Sequence, residues 1–153
     1  LNRKPARAEY VRHPDEFVWM DGALDAVRLL TERGFRLLVI SNQAGVARGA
    51  MTDDDLQAVD TRMMADAAAA GGRIERAYYC RHDWDAGCDC RKPKAGMLHQ
   101  AQREFHLDLS RTPYIGDDDR DGQAAELAGA PFIQVNEERS LLAIAHTLTT
   151  EAS

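Results

Sequence analysis

The sequence has no apolar run approaching the roughly 20 residues that a helix needs to cross a bilayer. Its apolar stretches are as short as Leu37-Leu38-Val39-Ile40, which excludes a helical membrane span. Nor does an apolar segment follow the basic opening residues Arg3, Lys4, Arg7 and Arg12, so residues 1–17 are not a secretory signal. Cysteine is scarce. There are three, an odd count, and Cys88 and Cys90 are too close to pair easily, which argues against a disulfide framework and against secretion. Positive charge is the minority: 19 Lys and Arg against 25 Asp and Glu give a formal net charge of −6. That balance disfavours nonspecific nucleic-acid binding, although a local basic pocket can still receive a phosphate. Internal repeats and linkers are also lacking. What remains is the profile of an ordinary soluble domain, with 153 residues, 44% hydrophobic and 29% charged. It suits one hydrophobic core, one domain over residues 1–153 and a cytoplasmic location.

Hydrophobic periodicity divides the chain into alternating helices and strands. Leu24, Val27 and Leu30 recur at helical spacing within a helix predicted over 21–33, and Gly34 stands where a helix-ending glycine belongs. Residues 35–40 are apolar apart from Arg36 and read as a parallel strand buried on both faces. Residues 41–50 read as a loop. Thr52 and Asp55 form a capping-box pattern that opens a second helix, with three acids at the positive end of its dipole. That helix runs to Gly71-Gly72. Further strands are predicted over 74–79, 113–116 and 131–135, and further helices over 96–106, 121–128 and 140–148. The alternation predicts an α/β fold with a parallel sheet flanked by helices. Ligands in such sheets bind at the carboxyl ends of the strands. Those ends carry Ser41-Asn42-Gln43, Cys80 and Gly116-Asp117-Asp118.

Within the loop at 80–92, Cys80 and His82 are followed by Cys88 and Cys90. Three thiols and one imidazole make a complete Cys₃His set, as a closed structural zinc site requires. With all four positions filled by protein, the metal would hold the loop rigid and leave no place for a catalytic water. The remaining histidines, His13, His99, His106 and His146, have no comparable partners in the sequence and read as surface or packing residues.

The acidic run after the 113–116 strand admits several readings. Asp117, Asp119, Asp121 and Gly122 match the opening of an EF-hand calcium loop. However, the twelfth position is Ala128, where a bidentate Glu is needed, and a strand rather than a helix precedes the run. Magnesium at a strand end, with few carboxylates and the rest water and phosphate, is a second reading. A solvated acidic helix start is the third.

Three motifs occur in order: Val39-Ile40-Ser41-Asn42-Gln43, then the Cys/His loop joined to Arg91-Lys92-Pro93, then Ile115-Gly116-Asp117-Asp118-Asp119-Arg120-Asp121. Together they resemble the haloacid dehalogenase (HAD) superfamily phosphatases, in the branch that holds heptose-1,7-bisphosphate and histidinol-phosphate phosphatases. The stretch from Asn42 to Gly49 looks more like the heptose group. The resemblance implies a HAD-like Rossmannoid sheet and a set of roles. Ser41 donates a hydroxyl hydrogen bond to the transferring phosphoryl group and Asn42 helps position it. Lys92 sets an ammonium against the developing charge, since phosphoryl transfer is mostly a problem of charge and position. Asp117 ligates Mg²⁺, and Asp121 supports either that site or Lys92. Arg48, Arg91 and Arg3 are candidate contacts to the substrate, Arg48 for the second phosphate of a bisphosphate.

The same resemblance exposes two departures. The family's nucleophile and its acid/base stand in an Asp-x-Asp at the end of a central first strand. Residue 1 is Leu, and Asp15 and Asp21 lie beyond the place of that motif. The chain is therefore expected to be N-terminally truncated, to lack its first central strand and to be inactive as it stands. Close relatives commonly carry a basic residue after the metal-binding aspartate; here it is Asp118, which sets negative charge near the phosphate. The expected function is a Mg²⁺-dependent phosphatase of a small phosphorylated sugar, foremost the 7-phosphate of a heptose 1,7-bisphosphate, acting as a monomer. Hydrolysis of histidinol phosphate or another small metabolite is the enzyme alternative. A non-catalytic, zinc-stabilised binding module is the alternative of another class.

Overall fold

The computed structural model describes residues 19, 22–42, 52–80, 92, 94–136 and 138–151, with Asn42 and Glu151 described in the backbone alone. Five helices and four strands alternate along them. Helix α1 spans Ala23–Glu32, strand β1 Leu37–Asn42, α2 Asp53–Ala69 and β2 Ile74–Cys80. Helix α3 follows over Gly96–Phe105, then β3 over Tyr114–Gly116, α4 over Asp119–Ala128, β4 over Phe132–Gln134 and α5 over Leu141–Glu151. A 3₁₀ turn over Leu109–Arg111, which the sequence pattern did not suggest, is opened by the Asp108 side chain accepting from Ser110 N–H.

The strands pair in parallel, β1 with β2 and β3 with β4, and among the described residues no ladder joins the two pairs. Strand β1 is half-buried and packs on both faces because its residues are apolar on both. Leu37 and Val39 face a cluster of Val27 from α1, Val59, Met63 and Ala67 from α2, and Ile74. Leu38 and Ile40 face the opposite way, onto Tyr78, Cys80, and Met97 and Ala101 of α3. The first strand pair is thus a middle layer between helices. A third cluster packs Ala26 and Leu30 of α1 against Ala145 of α5. Burying a side chain such as Leu30 contributes on the order of 1.5–3 kcal/mol, so these stripes hold the layers together.

Local chemistry sets the helix ends. Thr52 Oγ1 accepts from Asp55 N–H at 3.0 Å while Asp55 Oδ2 accepts from Thr52 N–H at 2.9 Å, the reciprocal cap that the sequence predicts. Gly34 has φ +88° and ends α1, the left-handed position that glycine takes at little cost. Helix α3 is clamped to β2 from outside. Arg76 donates to Glu104 at 2.6 Å and lies over the Tyr78 ring, 4.6 Å from its centroid. Tyr78 donates its hydroxyl to the same carboxylate. Burial, then that bond, pushes the Tyr78 phenol up to about 12, and the bond holds the Glu104 carboxyl below its ordinary range. No helix among the described residues is long and apolar enough to cross a membrane.

Candidate active site

The site is built from strand ends. In the β1–β2 ladder Ser41 stands opposite Tyr79, and Asn42 opposite Cys80. Ser41, which ends the apolar stretch of β1, is half-buried. Cys80 closes β2 with no exposed surface, against Tyr78, Met97 and Ala101. In the other pair β3 ends at Gly116, and the chain turns through Asp117 and Asp118 directly into α4. Asp117 is exposed at that turn.

One contact ties the two halves together. Lys92, in the segment that follows β2, donates its ammonium to Asp121 Oδ1 at 2.5 Å. The pair is sheltered, with side-chain exposures of 15% for Lys92 and 7% for Asp121. Asp121 sits in the first turn of α4, and both of its oxygens are occupied. Oδ1 also accepts the Tyr114 hydroxyl at 3.2 Å, and Oδ2 accepts Asp118 N–H at 3.2 Å. A buried carboxylate needs donors of this kind to remain charged. Burial, then the Asp121 charge, holds the Tyr114 phenol protonated and far above its usual range. The Tyr114 ring leans on Phe132, with centroids 6.4 Å apart.

The backbone makes room for the carboxylate. A Cβ placed on Gly116 would stand 2.6 Å from Asp121 Cβ and Cγ, with Oδ2 closer still. Only a residue without a side chain lets the strand end pass so near the helix start.

Asp118 differs from the sequence expectation in what its charge does. Its side chain caps α4 by accepting from Arg120 N–H at 2.9 Å. Arg120 also grips both carboxylate oxygens from its guanidinium, at 3.1 Å each. That hydrogen bond holds Arg120 still more firmly in its charged form. The negative charge is therefore engaged locally by a planar cation. The cap also explains why α4 starts at Asp119 rather than at Asp121. Asp118 and Asp121 form a reciprocal capping box, and the box requires Asp121 at the third helical position.

The described residues thus bring Lys92 and Asp121 together, and place Ser41 and Cys80 at the ends of paired strands and Asp117 beside Asp118. His82, Cys88 and Cys90 of the zinc-type loop, and Arg3, Arg48 and Arg91, lie outside the described residues, as does the side chain of Asn42. Tyr114 and Arg120 are the residues that sequence reasoning passed over. Tyr114 reads as one more apolar member of a short strand; the signal for it is a hydroxyl-bearing aromatic two residues before the glycine that admits Asp121. A separate cleft of about 320 Å³ lies between α2 and β2, lined by Leu56, Asp60, Met64 and Tyr79 among others. The Tyr79 hydroxyl donates to Asp60 there at 2.7 Å, and none of the candidate residues lines it.

Asp117 gives a hard oxygen donor at an exposed strand end. This suits a small hard cation, because Mg²⁺ takes one or two carboxylates and completes its shell with water and phosphate.

Residues 89–147 match the protein family described as HAD-hyrolase-like. The chain is 38% identical over 136 residues to the D-glycero-beta-D-manno-heptose-1,7-bisphosphate 7-phosphatase of Bordetella bronchiseptica, which takes in 88% of this chain and 76% of that protein. It is 37% identical over 126 residues to the enzyme of the same name from Pseudomonas putida, with 82% and 72% covered. Among solved structures it resembles the D,D-heptose 1.7-bisphosphate phosphatase of B. bronchiseptica complexed with magnesium and phosphate. The TM-score is 0.90 at 31% identity, over 98% of this chain and 93% of that one.

Proposed function

The chain belongs to the heptose-bisphosphate phosphatase branch of the HAD-like hydrolases, and from that membership we propose that it removes the 7-phosphate of a D-glycero-D-manno-heptose 1,7-bisphosphate. The observation that carries the reading is the sheltered Lys92–Asp121 contact at 2.5 Å. It fixes an ammonium at the point where the segment after β2 meets the turn after β3. Such a fixed cation is what phosphoryl transfer asks of a protein, because the transition state spreads charge over the phosphoryl oxygens. Asp121 holds the Lys92 ammonium in place for the substrate. Ser41 donates its hydroxyl to the phosphoryl group, and Asn42 orients it from the next position. Asp117 would hold Mg²⁺, which supplies charge neutralisation on the phosphoryl oxygens when bound. Arg48, Arg91 and Arg3 are proposed as contacts to the substrate, Arg48 to the second phosphate of a bisphosphate.

The aspartyl-phosphate route also needs a nucleophilic carboxylate. Among the described residues, strands β1 and β2 end in Ser41-Asn42 and Cys80, and after β3 Asp117, Asp118 and Asp121 are assigned to the metal, the helix cap and Lys92. We infer that the 153 residues alone hydrolyse nothing and that the nucleophile comes from a strand they do not contain. Phosphate release should be measured for this chain and for the product of its whole reading frame, on heptose 1,7-bisphosphate and on histidinol phosphate. The expected result is turnover of the heptose substrate by the reading-frame product alone. Preference for histidinol phosphate would move the enzyme to the sister activity, and no turnover of either would leave a binding module.

A structural zinc ion is proposed for Cys80, His82, Cys88 and Cys90. In its support, Cys80 is anchored at the buried end of β2, so one thiolate would be fixed before the metal arrives. Protein purified without added zinc is expected to carry one equivalent. A clearly substoichiometric content in folded protein would remove the assignment.

A further inference from the structure

We propose that Tyr114 is a positioning residue for Lys92, acting through the carboxylate that they share. The Tyr114 hydroxyl and the Lys92 ammonium both donate to Asp121 Oδ1, at 3.2 Å and 2.5 Å. The other oxygen is taken by Asp118 N–H at 3.2 Å. Three donors arriving from β3, from the segment after β2 and from the helix cap leave the carboxylate one orientation. The Asp121 side chain runs close along the strand end, where a Cβ on Gly116 would stand 2.6 Å from its Cβ and Cγ, so it has little room to shift toward β3. The backbone N–H can hold Oδ2 alone and leaves the carboxylate a swivel about that point. The phenol removes that freedom. It suits the task because it is protonated under all ordinary conditions and rigidly mounted, its ring lying against Phe132 in the cluster of Leu109, Ala125 and Ala130.

The kinetic part of this inference rests on the phosphatase reading; the structural part does not. The chain has three lysines, Lys4, Lys92 and Lys94, so ammonium proton–nitrogen correlation spectra at low temperature are simple, and Lys92→Arg identifies the Lys92 signal. A sheltered ammonium held by a carboxylate gives a slowly exchanging signal. Tyr114→Phe is expected to broaden it beyond detection while the fold persists. In the reading-frame product the same change is expected to lower kcat about tenfold with KM altered less than about twofold, since the loss falls on the transition state. Phe132→Leu serves as the comparison. It loosens the packing of the ring and keeps the hydroxyl, so the Lys92 signal and kcat should persist.

A Lys92 signal unchanged in Tyr114→Phe overturns the proposal. So does a loss that Phe132→Leu reproduces, which would mean that the ring rather than the hydroxyl matters. Absence of turnover in the unaltered protein would strike the phosphatase reading, and the ammonium spectra would still decide the role of Tyr114.

Discussion

Asp121→Ala lowers the unfolding free energy by about 3 kcal/mol, and Lys92→Met in the same chain returns part of that loss. The expectation follows from shelter and from donor number. Asp121 is 7% exposed and Lys92 15%, so water is poorly placed to replace either partner. Removing the carboxylate takes the acceptor from the Lys92 ammonium, the Tyr114 hydroxyl and the Asp118 N–H together. A buried charge that loses its partner costs several kcal/mol, far more than a surface pair contributes. Methionine at position 92 removes the charge that would be stranded and keeps an apolar stem of similar length. The two single changes and the double change therefore should not add, with a coupling of about 1 kcal/mol or more. Urea unfolding of the four proteins measures this directly. Additive losses would mean that the contact carries no coupling and that the proposed anchoring of Lys92 is wrong.

The contrast with the surface pairs is instructive. Arg28 and Glu32 lie 3.3 Å apart on α1 with exposures of 43% and 53%. Such a pair contributes no more than about 0.5 kcal/mol. The difference lies chiefly in solvent, since both pairs are in contact, at 2.5 Å and 3.3 Å.

Much of this architecture was legible in the sequence, for reasons that are local. Thr52 and Asp55 announce a helix start because the capping box is made within four residues. The apolar run of β1 announces a strand covered on both faces because no alternation allows either face to meet water. Gly34 announces a helix end because its φ of +88° suits no other residue so well. The motif residues were legible because Ser41, Cys80 and Asp117 fall at strand ends, and strand ends follow from the periodicity.

The features that escaped are those made by approach between elements. Asp118 reads as an added charge beside the phosphate; only the folded turn shows that it caps α4 and meets Arg120. Helix α4 starts two residues before Asp121, which looks like a helix opener until Asp118 is seen to be its capping partner. Tyr114 and Asp121 are seven residues apart, and nothing in a strand-type pattern says that a strand side chain will reach back to a helix that has not yet begun. The sheet itself divides into two parallel pairs among the described residues. Pairing of strands distant in sequence depends on what lies between them in space, which periodicity does not encode.

Gly116→Ala is expected to separate site geometry from stability. The added methyl would stand 2.6 Å from Asp121 Cβ and Cγ, atoms next to the helix backbone that cannot swing aside as a long side chain could. Either β3 retreats from α4 or the Asp121 carboxylate rotates out of reach of its donors. Overpacking of this kind costs on the order of 1–3 kcal/mol. A displacement of about 1 Å at a positioned group can cost 100-fold in rate. Gly34→Ala supplies the comparison: its φ is +88° and nothing lies within 4 Å of the new methyl. That change should cost about 1 kcal/mol through the left-handed backbone and leave the site untouched. Thermal unfolding and kcat for both variants of the reading-frame product, with the Lys92 ammonium signal in this chain, give the decision. Equal thermal shifts with turnover lost in Gly116→Ala alone would locate the effect at Asp121. Full turnover in Gly116→Ala would show that the close approach of β3 is dispensable, and that the carboxylate finds Lys92 without it.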